Sequence, residues 1–198
     1  MKKYAFILFA LLSLTSCTKD EPTPEIDQEE LGGAKLIFTA VEKQEIDGKV
    51  SYLPVEGEEV QEIKFDDKTF LPEAGAHVDL EEGHTYKMDL IAYDFLKREV
   101  QQTFLNKPEN HQAFLLGADE KILSFEYGDE HNVGISNYIT IHEGDKKVQL
   151  QYIMRHLTAA AKQTLKASDW NNPDISVGSV DLKLVFEVPL VKEDHHHH

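Results

Sequence analysis

The sequence predicts an all-β protein, an antiparallel β-sandwich of immunoglobulin-like kind with at most one short helix. Three observations carry this prediction. Hydrophobic residues recur with a period of two from Leu36 onward, turn-forming residues punctuate the runs at short intervals, and no long stretch keeps the 3.6-residue period of a helix.

The clearest alternations are Val148, Leu150, Tyr152 and Met154 against Lys147, Gln149 and Gln151, and Val180 through Val188 at even positions against Asp181, Lys183, Val185 and Glu187. Tyr86, Met88 and Leu90 repeat the pattern. In each case one face of a strand is buried and the other is solvated. Asp47-Gly48, Glu82-Gly83, Gly117-Ala118-Asp119, Gly128-Asp129 and Glu143-Gly144-Asp145 supply the turns. The one expected helix is Ala159 to Ala167, capped by Thr158 and ended before Asn171-Asn172-Pro173.

The chain divides into a leader at 1–16, an acidic tether at 17–33, one sandwich domain at 34–191 and an acidic, histidine-bearing tail at 192–198. Lys2 and Lys3 precede an apolar run, Tyr4 to Leu14, that is too short to span a bilayer, which is the pattern of a secretory signal peptide. Leu14-Thr15-Ser16-Cys17 resembles a bacterial lipobox, which implies that Cys17 is lipidated and becomes the mature N-terminus. Thr18-Lys19-Asp20-Glu21 is similar to the export signal of Bacteroidota surface lipoproteins. Together they imply a protein held to the outer membrane by lipid and exposed at the cell surface.

The remaining length, about 180 residues, suffices for one substantial core. Cys17 is the only cysteine, so packing alone must hold the domain. Acidic residues outnumber basic ones 36 to 20, and the formal charge is −16. Such a surface repels nucleic acid and attracts cations. The sequence contains no phosphate-cradling glycine loop, nucleophile elbow or paired-cysteine zinc motif, and the expectation is a non-enzyme.

Histidine is the residue in excess. Two hairpins, 133–142 with 146–156 and 111–116 with 122–127, are expected from the turns between them. Their pairing places His156 opposite Val133 and His111 opposite Tyr127, at adjoining open ends. Asp129 and His131 lie in the segment joining the two hairpins, so His111, Asp129, His131 and His156 are expected to converge as a metal set for Zn2+ or Cu2+, which take imidazole and carboxylate. His142 reads as solvent-facing, and His77 and His84 as surface residues. The terminal run His195, His196, His197 and His198 reads either as a native cation-collecting tail or as a truncated purification handle.

Asn110-His111-Gln112-Ala113-Phe114, Val133-Gly134, Met154-Arg155-His156 and Val180-Asp181-Leu182 resemble a family of small all-β Bacteroidota outer-membrane lipoproteins, often called type 1 periplasmic binding fold proteins. The likeness covers under half of the chain, and Lys166 to Ser176 replaces the family's glycine-rich stretch before the last strand. It implies company with a TonB-dependent transporter. The expected function is therefore capture of zinc or copper and delivery to such a transporter. Two other readings stand beside it: a haem-binding lipoprotein with two axial histidines, and a glycan-binding or structural surface module for which Trp170 is the only tryptophan available.

Overall fold

The computed structural model describes residues 31–192, and these form two facing antiparallel sheets around one apolar core. In chain order the strands are β1 (Gly33–Ile46), β2 (Lys49–Pro54), β3 (Gln61–Phe65), β4 (Leu80–Glu81), β5 (Thr85–Tyr93), β6 (His111–Leu116), β7 (Leu123–Tyr127), β8 (Ser136–Ile141), β9 (Lys146–His156) and β10 (Ser179–Val191). One sheet runs β2-β1-β5-β8-β7, with β3 also on β1; the other runs β4-β10-β9-β6. The single parallel contact among these is β4 with β10. The leader, Cys17 and most of the tether, like His195 to His198, lie outside the described residues.

The alternation read in the sequence is the alternation of burial. Val148, Leu150, Tyr152 and Met154 of β9 and Leu182, Leu184, Phe186 and Val188 of β10 point inward to meet Leu36, Phe38, Met88, Leu90 and Ile139 from the opposite sheet. Phe186 anchors the centre, its ring edge-on to Phe38 and Phe65. Asp47-Gly48 closes the β1–β2 hairpin as a two-residue turn, with both residues at positive φ, the conformation that matches strand twist. The chain packs from Leu31, which is buried two residues ahead of β1, so the tether ends earlier than expected.

Two features depart from the sequence reading. The expected hairpins do not exist: β6 and β9 belong to one sheet, β7 and β8 to the other. The turns after Leu116 and after His142 are arches that carry the chain across the core from sheet to sheet. β6 instead pairs antiparallel with β9, and β7 with β8. Second, there are two short helices, α1 (Gln102–Asn106) and α2 (Ala159–Thr164). α2 is the expected one, capped as expected by the Thr158 hydroxyl accepting from Ala161 N–H, though it ends three residues early. α1 is a single turn that exists to bury Phe104.

Candidate metal centre

The β6–β9 ladder puts His111 directly across from His156, and the β9–β10 ladder puts Ser179 directly across from His156. Directly opposed residues in an antiparallel ladder share a face. His111, His156 and Ser179 therefore form one row on the core face of the second sheet, at the end where β6 begins.

A fourth group enters through an irregularity. The β9–β10 register shifts between Val180 and Leu182, so Asp181 is the extra residue of a β-bulge. Without the bulge, an inward Asp181 would turn Leu182, Leu184, Phe186 and Val188 out to solvent. The extra residue lets the carboxylate and the whole apolar face point inward together, which is what bulges beside functional sites achieve.

The Asp181 side chain is completely buried between the two histidines. Its Oδ2 lies 3.4 Å from His111 Nε2 and 3.5 Å from His156 Nδ1. His111 is fully buried and His156 nearly so. The three ligand atoms fall within 4.8 Å of one another. Among the described residues, His111 Nε2, His156 Nδ1, both oxygens of Asp181 and the Ser179 hydroxyl have no hydrogen-bond partner. A buried polar atom left so costs about 1–3 kcal/mol, more when charged. Five such atoms on four neighbouring side chains call for a cation or protons shared among them.

The surroundings fix His111 for one role. Its Nδ1 lies 3.0 Å from the Lys107 carbonyl at the end of α1, so Nδ1 carries a hydrogen and Nε2 is the ring atom turned to Asp181. A carbonyl on the far nitrogen is the usual device for orienting a metal-bound imidazole. Phe104 packs edge-on to the same ring at 5.1 Å, and His156 packs edge-on to it at 4.8 Å. From above, Lys162 of α2 donates to the carbonyls of His111 and Asn132 at 2.8 and 2.9 Å. Burial there pulls the lysine down from its ordinary value to about 8. Asn110 and Leu157 exchange hydrogen bonds beside the site. Both helices thus clamp the start of β6.

Of the expected set, only His111 and His156 meet, and through a ladder different from the hairpins that predicted it. Asp129 does not join them. Its carboxylate accepts from the backbone N–H groups of Val133, Gly134, Ile135 and Ser136, which fully occupies it as the knot of the 129–136 turn. His131 does not join either: it sits at φ 64° in that turn with its ring exposed toward Glu130. Asp181 is the candidate ligand that the sequence reading lacks, because strict alternation assigns it to solvent. Trp170 is no surface platform, since it is buried and stacked on Phe125 with 5.5 Å between ring centroids. His142 is exposed, as expected.

No family model matches the chain, and no curated protein matches it. Among solved structures it is similar to domains 4 and 5 of the S-layer protein SbsC at 9% sequence identity and a TM-score of 0.31, over 79% of this chain and 76% of that one.

Proposed function

We propose that this protein binds a transition-metal ion, zinc foremost, through His111 Nε2, His156 Nδ1 and the Asp181 carboxylate. The observation that carries the reading is the convergence of three buried ligand side chains whose facing atoms lack partners. Metal–nitrogen and metal–oxygen bonds of about 2.0–2.2 Å at tetrahedral angles set ligand atoms roughly 3.3–3.5 Å apart. The two histidine–carboxylate separations, 3.4 and 3.5 Å, already have that value. The nitrogens must draw together from within 4.8 Å of each other, a movement on the order of an ångström. The neighbouring Ser179 hydroxyl offers a further oxygen.

Two histidines and one carboxylate suit zinc, and imidazole also suits copper(II). An ion favours this geometry over haem, because a porphyrin seated between rings on directly paired strands would have to part the sheet. The lipid anchor at Cys17 and delivery to a TonB-dependent transporter belong to this proposal on sequence resemblance alone.

The test is thermal unfolding of the chain beginning after Cys17, with zinc and with a chelator. An ion that binds only the folded state raises stability by about 2.7 kcal/mol at a hundred times its dissociation constant. The rise is expected in a chain ending at Asp194 and absent in Asp181→Asn, which keeps the side-chain shape. An equal rise in both variants, or none in either, overturns the reading.

A further inference from the structure

Exposed large apolar residues occur at several places among the described residues, Val50 and Leu53 of β2 included, and the two most exposed, Phe95 and Leu96, are neighbours at a place set by the chain's own path. β5 ends at Tyr93 and turns sharply through Asp94 to Arg98, and this turn presents Phe95 and Leu96 outward, 68% and 73% exposed. The turn is stapled. The Asp94 carboxylate accepts from the N–H of Leu96 at 2.8 Å, the N–H of Arg98 at 2.9 Å and the Arg98 guanidinium at 2.7 Å. These bonds, the Arg98 N–H first among those that lower it, hold Asp94 below the usual carboxylate range. The backbone that carries two large apolar side chains is thus held in place, which lowers the ordering cost of whatever contact they make.

The same turn receives the incoming chain. Gly32 N–H donates to the Tyr93 carbonyl at 2.7 Å, and a Cβ on Gly32 would come within 2.7 Å of the Phe95 backbone, so only glycine passes here. Lys97 bonds the Gly32 carbonyl and pairs with Asp67 of the adjacent turn, where Leu71 is a third exposed apolar residue. Lys97 and Arg98 stand beside them, each paired with a carboxylate, that of Asp67 and that of Asp94. The tether from Cys17 therefore enters the domain beside Phe95 and Leu96. Thirteen residues, 18–30, separate Cys17 from Leu31. A chain of that length reaches at most about 45 Å, which bounds the distance from the anchor to the domain.

We propose that Phe95 and Leu96 form a bilayer-contacting tip that seats the domain on the membrane to which Cys17 is anchored. This rests on the lipoprotein reading, which supplies the bilayer within reach. Large apolar side chains at the surface beside the entry of a membrane-anchored chain suit an interfacial contact, to which the paired Lys97 and Arg98 add no net positive charge. The tether makes that contact intramolecular, so a tip too weak to bind membranes alone still docks. Docking at this end turns the β1–β2 hairpin, at the far end of the fourteen-residue strand β1, away from the bilayer by about 45 Å.

The test uses the full lipidated protein in phosphatidylcholine vesicles, with an environment-sensitive dye on Leu96→Cys or, as control, on Lys49→Cys in the far hairpin. Cys17 is the only native cysteine and its sulfur is blocked by lipid, so labelling is specific. Intact mass reports the lipid. The dye at 96 is expected to shift to the blue and to be quenched by aqueous iodide several-fold less than the dye at 49, and Phe95→Ser is expected to reduce that protection. Equal quenching in protein that carries lipid overturns the tip and leaves the anchor standing. Absence of lipid overturns both. Protection that persists without vesicles and grows with protein concentration points to a second copy as the occupant and also overturns the tip.

Discussion

Replacing Asp129 separates the two roles that sequence and structure give it. Its two oxygens accept from four backbone N–H groups at 2.6 to 3.2 Å, and in doing so hold His131 and Asn132 at φ 64° and 54°, in the left-handed region that side chains resist. A hydrogen bond to a charged group contributes about 1.5–3 kcal/mol. The four are not additive, because water reaches part of the opened turn, and about 3–5 kcal/mol is expected for Asp129→Ala. With a urea slope of roughly 2–3 kcal/mol per molar, the unfolding midpoint falls by about 1.5 M. Asp129→Asn keeps one acceptor oxygen and is expected to lose about half as much. The assay is urea unfolding followed by near-ultraviolet circular dichroism, with a zinc titration of folded Asp129→Asn beside it. Zinc affinity is expected to stay within about threefold of the parent, since a ligand would cost far more. A loss below about 1 kcal/mol in Asp129→Ala, or abolished zinc binding in the asparagine variant, would refute the reasoning.

Two further perturbations probe the walls of the site. Lys162 is held at about 8 in the folded state against 10.5 for a free lysine, so the unfolded chain binds more protons between these values and stability rises with pH across that window. Lys162→Met, followed by thermal unfolding from pH 7 to 10.5, is expected to flatten that rise. Gly178 lies at φ 75° against the His156 carbonyl, which a Cβ would overlap. Gly178→Ala is expected to destabilise by at least about 2 kcal/mol in chemical unfolding and to weaken zinc binding by displacing His156.

The sequence discloses strands better than it discloses partners. Period-two burial in β9 and β10 is a local property, legible in Val148 to Met154 and Leu182 to Val188 without any knowledge of neighbours. Whether a turn such as Gly117 to Glu120 closes a hairpin or arches to the other sheet depends on the facing layer, and the same residues serve both. The sequence therefore brings His111 and His156 together through hairpins that do not form, because the ladder that replaces them also pairs strand ends near the same loop. Asp181 could not be read: one inserted residue reverses its face, and nothing in Ser179 to Leu182 announces the insertion. α1 escaped for a different reason, being a single turn whose warrant is the burial of Phe104 against His111.

The most direct measurement of the central claim is a crystal structure of the chain ending at Asp194, grown with zinc and recorded on both sides of the zinc absorption edge. The account predicts an anomalous peak between His111 Nε2, His156 Nδ1 and Asp181, with bonds of about 2.0–2.2 Å. A peak only at surface carboxylates or surface histidines, with the three buried side chains bonded to one another alone, would contradict it.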